Sequence, residues 1–461
     1  MAPRLHWCTV IRDLGDGLVL RRATTADADA LTEFNADYLR FQDAPEPSRV
    51  MAAWTRDLMT GRHPTFRPES ATVVEDTRRR LIVSSIMLIR QTWAFGGVPI
   101  GIAQPELIAT HPDYRGRGVV RAQLETVHQW SAERGDLVLI ISGIPGYYRQ
   151  FGYELALQQG GGPVIHTSSL PRPDPDEPRP FRVRELREGD LAFLTRTYAE
   201  ATRDSLVTVL RDEPLWRYEW QGRSAHAAVR QEIRVIETTA GEPVGFLTHQ
   251  PRVNGTVFEV TEWKVARSVS WRAVWPTLLA YCWRAGEEYA QRDGGTLGTL
   301  SFWYLGDSHP IDQIARLAWP RRRWAYYVRV PDLPAFVRAV APALERRLAA
   351  SLLVGHTGEL TLGFYRPEGV RLVFERGRLV TAEAWRPDFG LGSLEVGFPT
   401  TDPRRPVAMF PGLTFLQLLF GFRALDELQS AFPDCIVRNP DARALVTALF
   451  PRQPSDVWPV L

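Results

Sequence analysis

The sequence predicts a protein of the α/β class, with mixed α+β sheets. Short β-rich runs alternate with segments of helical spacing, and the pattern that opens the chain returns after a Gly/Pro-rich stretch. In addition, one strand runs straight into a glycine-rich turn from which a helix leaves. At 461 residues, with about 150 residues per domain as a prior, the chain has room for about three domains.

The first domain is expected over 1–160. Gly17-Leu-Val-Leu-Arg-Arg22 reads as a strand, and Thr24 or Thr25 caps a helix through Asp27, Leu31 and Phe34. Ala71–Glu75, Leu81–Gln91 and Trp93–Ala103 read as strands, the last two parted by a turn near Gly96-Gly97, and Pro105–Thr110 reads as another. Helical spacing over Gly116–Arg134 puts Val120, Leu124, Val127 and Trp130 on one face. Leu137–Ile141 is short, continuous and β-rich, as a buried strand is.

Residues 161–180 carry Gly161-Gly-Pro163 and then Pro171, Pro173, Pro175, Pro178 and Pro180, a composition suited to a stiff, solvated connector. Beyond it, Phe181–Asp190 and the helix Leu191–Ala201 repeat the pattern of Leu18–Ala36. Strands at Gly241–His249 and Phe258–Ala266 and a helix at Trp271–Tyr289 complete a second copy over 181–330. That copy has Arg267-Ser-Val-Ser-Trp271 where the first has Arg115-Gly-Arg-Gly118. The third region, 331–461, opens with a helix over Leu333–Leu353 that Pro342 breaks or kinks. Strands at Glu359–Phe364, Gly369–Glu375 and Arg378–Trp385 follow, then the apolar helical segment Phe410–Phe432 and a last helix over Asp441–Phe450.

Composition excludes several function classes. Basic and acidic residues number 55 and 53, a net charge of +2, which leaves no electrostatic footprint for nucleic acid. Cys8, Cys282 and Cys435 are too few and too scattered for a disulfide framework or a zinc cluster, and the histidines show no metal-ligand spacing. No apolar run approaches the roughly 18 residues of a membrane span, and Arg12 and Asp13 break any signal-peptide core. The expectation is a soluble cytoplasmic protein without a metal. Lys264 is the only lysine, which codon bias toward arginine explains.

The strongest motif is Ile108-Ala-Thr-His-Pro-Asp-Tyr-Arg-Gly-Arg-Gly-Val-Val-Arg121. Where a strand meets a helix start, several N–H groups have no helical partner, glycines permit close approach, and the helix dipole favours an anion. Arg115, Gly116, Arg117, Gly118, Val119, Val120 and Arg121 therefore read as a pyrophosphate cradle. His111 reads equally well as a turn residue or a base. Arg321-Arg-Arg323 reads as a solvated face, Trp319–Tyr327 as core or interface, and Asp307-Ser308-His309 as a surface turn. Phe410–Phe432 reads as core rather than a lipid groove.

The Arg-x-x-Gly turn after this strand resembles the coenzyme A signature of the GNAT acetyltransferases, with Val120 where that signature has Gly or Ala. A second motif, Gly143-Ile-Pro-Gly-Tyr-Tyr-Arg-Gln-Phe-Gly-Tyr153, resembles the narrower Eis (enhanced intracellular survival) type of N-acetyltransferase. The resemblance implies two tandem GNAT-like domains, the second degenerate, followed by a sterol-carrier-protein-like α/β domain. It implies acetyl-CoA as cosubstrate, bound also by Gly143 and Ile144, with the thioester along Ile108, Ala109 and Thr110. It implies that Tyr148 protonates the departing thiolate and that the carboxylate of Leu461, here not aromatic, takes the amine's proton. The acceptor would be a primary amine of a small molecule, aminoglycoside- or polyamine-like, or a lysine side chain. The assembly would be a homo-oligomer, a hexamer by resemblance, with no nucleic-acid or membrane partner. The competing reading is a non-catalytic CoA- or lipid-binding protein on a degenerate acetyltransferase scaffold. Tyr153 reads as aromatic packing beside the strand.

Overall fold

The long apolar runs of the first third build one sheet covered on both faces. In the computed structural model, residues 10–40, 46–306, 308–315, 324–387 and 405–461 are described. Cys8, Asp307, Arg321-Arg-Arg323 and the first part of Trp319–Tyr327 lie outside them. The first region forms β1 (Val10–Gly15), β2 (Leu18–Arg22), α1 (Ala28–Tyr38), α2 (Arg49–Met59), β3 (Ala71–Asp76), β4 (Leu81–Phe95), β5 (Val98–Thr110), α3 (Val119–Glu133), β6 (Val138–Ile141) and β7 (Glu154–Gly160). Strands β1 to β5 are antiparallel neighbours in chain order, and β6 joins β5 in parallel.

Helices α1 and α2 pack Leu31, Phe34, Trp54 and Leu58 against Val73, Met87 and Ile89 on one face. On the other, α3 packs Leu124, Val127 and Trp130 against Ile86, Leu88 and Leu139. With both faces covered, β4 is buried almost throughout instead of alternating. It also runs past Gln91 to Phe95, and Pro105–Thr110 is the end of β5 rather than a separate strand. A proline is tolerated there because one edge of β5 is open: β6 pairs only with Ile102 and Ala103. The expected turn at Gly96-Gly97 is present, both residues at positive φ.

The middle region comprises β8 (Val164–His166), β9 (Phe181–Glu185), α4 (Leu191–Thr202), β10 (Val207–Val209), α5 (Glu213–Arg217), β11 (Glu232–Thr238), β12 (Pro243–His249), β13 (Val257–Val265), α6 (Trp271–Arg292), β14 (Thr299–Ser301) and α7 (Ile311–Ile314). Its sheet has the order β8-β14-β13-β12-β11-β9. The boundaries expected at 160/161 and 330/331 do not separate the sheets in space. The strand β15 (Trp324–Arg329), expected in the second copy, inserts between β6 and β7, antiparallel to both. Conversely, β8 lies inside the expected connector and pairs with β14, while β10 pairs with β4. The crossing is tight: the amides of Gly161 and Gly162 both donate to the Trp303 carbonyl, and a Cβ on Gly162 would stand 2.2 Å from the Phe302 carbonyl oxygen.

The last region has α8 (Leu333–Ala339), α9 (Ala341–Ala349), β16 (Gly358–Gly363), β17 (Gly369–Glu375), β18 (Arg378–Trp385), β19 (Ala408–Met409), α10 (Phe415–Leu419), α11 (Leu425–Ala431), β20 (Ile436–Val437) and α12 (Pro440–Leu449). Pro342 separates α8 from α9, sitting in the first turn of α9 where its missing N–H matters least. Gly421, at φ +63°, ends the first half of the Phe410–Phe432 segment, which is two short helices and not one. Its residues are core: Phe415, Leu418 and Phe420 join Trp93, Phe95, Phe336 and Leu344 in one cluster that spans the first and last sheets. Among the described residues no helix is long and apolar enough to cross a membrane. After α12 the chain runs to Leu461 outside helix and strand, meeting β10 through an Asp456–Thr208 bridge.

Candidate active site

The glycine turn is open. Gly116 and Gly118 lie at φ +72° and +77°, and a Cβ on either would meet nothing within 4 Å. Gly118 is the N-cap of α3 and supplies no side chain to its first turn. The amides of Gly118, Val119 and Val120 therefore donate to no acceptor among the described residues. Ahead of the turn, the buried Tyr114 donates its hydroxyl to Asp76 at 2.6 Å and fixes the loop. Arg117 lies 3.4 Å from Asp16, and Arg121 bonds Gln150 while stacking over Phe151. Converging donors, a helix start and cationic side chains suit a diphosphate. His111 is a turn residue: its ring accepts from the Asp113 amide at 3.2 Å.

Next to this turn the sheet forks. Beyond Ala103, β5 leaves β6, and its outer edge is unpaired toward Thr110. A bulge sharpens the divergence: the register with β4 slips between Ser85 and Met87, opposite Leu107, which holds φ +49°. A bulky residue at positive φ is strained by about 1–3 kcal/mol and marks a place the surrounding structure holds on purpose. Ile108, Ala109 and Thr110 lie just past the bulge. Ala109 and Thr110 are registered with Ser85 and Ser84 on β4, and the Ser84 hydroxyl lies 2.8 Å from the Ala109 carbonyl and 2.6 Å from Gln123 Oε1 of α3.

At the fork stands Glu106, a carboxyl that the sequence reading missed. Burial pushes its pKa up to about 7, against hydrogen bonds from Gln104 and the Leu107 amide that favour the charged form. Some solvent still reaches it. The signal was an acid inside a strand, between Pro105 and Leu107, where apolar residues were expected.

Tyr148 faces the same region from the turn after β6. It is buried. Burial first, and then the nearby charge of Glu106, raise its pKa and keep it protonated. Its ring lies against Gly143, where a Cβ would stand 2.3 Å from Cε2. The exchanged strand β15 clamps this loop: Tyr327 accepts from the Gly146 amide at 2.6 Å and donates to the Ile144 carbonyl at 3.4 Å. Ile144 is 64% exposed at the loop's rim. Tyr153 is a packing residue, fully buried with its hydroxyl 2.9 Å from His128.

The end of the chain reaches the opposite face. Leu461 packs on the cluster that holds Leu107 and Ala109, and its main-chain oxygen accepts from Arg223 Nε at 3.0 Å. Two further cations of the middle region hold the segment: Lys264 pairs with Asp456 at 2.5 Å, and Arg211 donates to the Trp458 carbonyl at 2.5 Å. The single lysine is thus buried in an ion pair. Beside the end of the chain, His63 is pushed down to about 3 by burial, then by Arg223, and stays neutral. A cavity of about 750 Å³ lies between the first and middle sheets, lined by Gln91, Tyr198, Arg211 and Val460, and includes neither Glu106 nor Tyr148.

Residues 19–156 match the family model of the acetyltransferase (GNAT) domain. No curated protein matches the chain by sequence. Among solved structures, a probable N-acyltransferase from Enterococcus faecalis V583 is 15% identical with a TM-score of 0.63, covering 95% of this chain and 97% of that one. A GCN5-related N-acetyltransferase from Kribbella flavida is 17% identical with a TM-score of 0.60, at 95% and 97% coverage. Eis1 from Mycobacterium abscessus is 14% identical with a TM-score of 0.52, at 94% and 98% coverage. At these identities the likeness is one of fold. The first region has the GNAT acetyltransferase fold, and structures of the same overall fold extend over nearly the whole chain.

Proposed function

We propose that this chain is an acetyl-CoA-dependent N-acetyltransferase of the Eis type, acting on a primary amine of a polycationic small molecule or of a lysine side chain. The observation that carries the reading is the open turn at Gly116–Val120, whose free amides sit at the mouth of the β5/β6 fork. The turn binds the diphosphate of acetyl-CoA. The unpaired edge of β5 from Ile108 to Thr110 lies along the thioester, with Gly143 and Ile144 opposite.

An amine is mostly protonated at neutral pH and must lose a proton before it attacks. Two carboxylates compete for that role. The Leu461 oxygen is held by the Arg223 guanidinium, which favours its charged form and weakens it as a base. Glu106, lifted to about 7, is tuned to accept the proton. We assign the proton to Glu106 and the orientation of the cationic acceptor to Leu461. The amine nitrogen then bonds to the acetyl carbon, the carbon–sulfur bond breaks, and Tyr148 gives its proton to sulfur. The two steps reinforce each other. Once Glu106 is neutral, the charge that helps to raise Tyr148 is gone, and the phenol becomes a stronger acid.

The test is release of free coenzyme A thiol from acetyl-CoA in the presence of polyamines, aminoglycosides or lysine peptides. Amine-dependent release is expected. Tight acetyl-CoA binding without release would leave the binding-protein reading in its place. Comparing Glu106→Gln with deletion of Leu461 separates the two carboxylates: the first should lower kcat about a hundredfold, the second should raise KM for the amine.

A further inference from the structure

The segment that ends the chain is joined to Glu106 by a single file of hydrogen bonds. The Val460 amide and the Trp93 indole N–H both donate to Gln91 Oε1, at 3.3 and 3.1 Å. Gln91 Nε2 donates to Gln104 Oε1 at 2.9 Å, and Gln104 Nε2 donates to Glu106 Oε1 at 2.7 Å. Gln91, Gln104 and Trp93 are all buried, so no water substitutes for a lost partner without penalty.

The direction of this file is forced. Peptide and indole N–H groups only donate, and a carboxylate only accepts. Turning either glutamine around would set donor against donor or acceptor against acceptor. With Val460 and Trp93 both donating to it, Gln91 can present only its oxygen to the tail and its nitrogen to Gln104. Gln104 in turn presents only its nitrogen to Glu106.

We propose that Gln91 and Gln104 are positioning residues that carry the docking of residues 456–461 to Glu106 and hold its carboxyl ready to accept a proton. The middle region takes part because Lys264, Arg211 and Arg223 fasten that segment. When the segment leaves, Gln91 keeps only the Trp93 donor, its amide is held less firmly, and the Gln104 bond that favours ionised Glu106 weakens. The titratable groups facing Glu106 are Tyr148 from the turn after β6 and Tyr326 from β15, both raised far above neutrality, and His63 beside the tail titrates near 3. None of them changes charge near pH 7.

This inference rests on Glu106 as the proton acceptor, and its test reads Glu106 directly. Isotope-edited infrared titration of the full chain follows the protonated carboxyl band, assigned by its loss in Glu106→Gln. The wild type should titrate near pH 7, and Gln104→Met should titrate about one pH unit higher. Val460→Pro removes the amide hydrogen at the far end, together with a buried valine side chain. It should move the midpoint the same way by less, and it keeps the test available if Gln104→Met does not fold. The acid limb of kcat/KM should follow each midpoint. Wild-type midpoints in both variants overturn the proposal while leaving the transferase reading standing. Shifted midpoints in a protein that never releases coenzyme A overturn the transferase reading and leave the relay.

Discussion

The first and middle sheets share a frame and differ in what fills it. In the first, Arg21 bonds Asp27 and Glu75; in the middle, Arg184 bonds Asp190 and Glu237, with distances of 2.6–3.0 Å throughout. Each aspartate also accepts from the amide three residues before it, at the entry to a helix. The strand-to-helix junctions then part company. After β5 the helix starts on Gly118 with free amides, whereas after β13 it starts on Ser270, whose side chain accepts from the Ala273 amide. Alongside β13, Trp263 is fully buried against Trp271, Trp275 and His309, and His309 lies 3.0 Å from the Trp263 carbonyl. The difference teaches that the frame does not bind anything by itself; the open junction does.

The sharpest way to break this comparison is to close the open junction. Gly118→Glu should weaken acetyl-CoA binding by about a hundredfold or more in calorimetry, through like charge beside the diphosphate and strain at positive φ. Ser270→Glu should leave that affinity unchanged, and a loss there would place the cofactor in the wrong sheet. Next in size, Glu106→Gln should lower kcat about a hundredfold at saturating amine. In the wild type, kcat/KM should climb as pH rises through about 7, because a base with a raised pKa works only once it is deprotonated. Tyr148→Phe should lower kcat about tenfold with acetyl-CoA affinity intact, whereas a change in affinity alone would make Tyr148 a packing residue.

The smallest effect tests the shared frame. Arg21→Ala and Arg184→Ala should each cost about 2–3 kcal/mol in urea unfolding at neutral pH. Burial alone would raise Asp27 and Asp190, but the bonds from Arg21 and Arg184 outweigh it and hold both carboxyls below the usual range. A depressed folded-state pKa contributes stability above the unfolded value of about 3.9 and loses it as pH falls through the folded one. The gap between wild type and each variant should therefore close in acid. Unequal gaps would mean that the two frames are not equivalent.

The sequence made some of this visible and hid the rest for physical reasons. The glycine turn was legible because a turn needing positive φ leaves glycines at fixed places, and α3 was legible because its buried face keeps a strict period. The edge strand β1 was not, since Arg12 and Asp13 point into solvent and no apolar alternation remains. The strand β8 has only three residues, and contacts across 133 or 181 positions, as of Thr299 with His166 and of the Gly146 amide with the Tyr327 hydroxyl, leave no local trace. Glu106 escaped notice because spacing alone does not distinguish a buried acid from a surface one. Gln91 and Gln104 were invisible for the same reason: two glutamines become a relay only when a hairpin sets them side by side.

The exchanged strand β15 has a consequence for how the molecule is made. A ribosome delivers β6 and β7 some 160 residues before the strand that must lie between them. Until that strand emerges, the clamp on the Tyr148 loop is missing and the sheet has a gap along its middle. The amino-terminal third therefore cannot mature as a separate unit during synthesis, and excising it would remove a rib from its own interior.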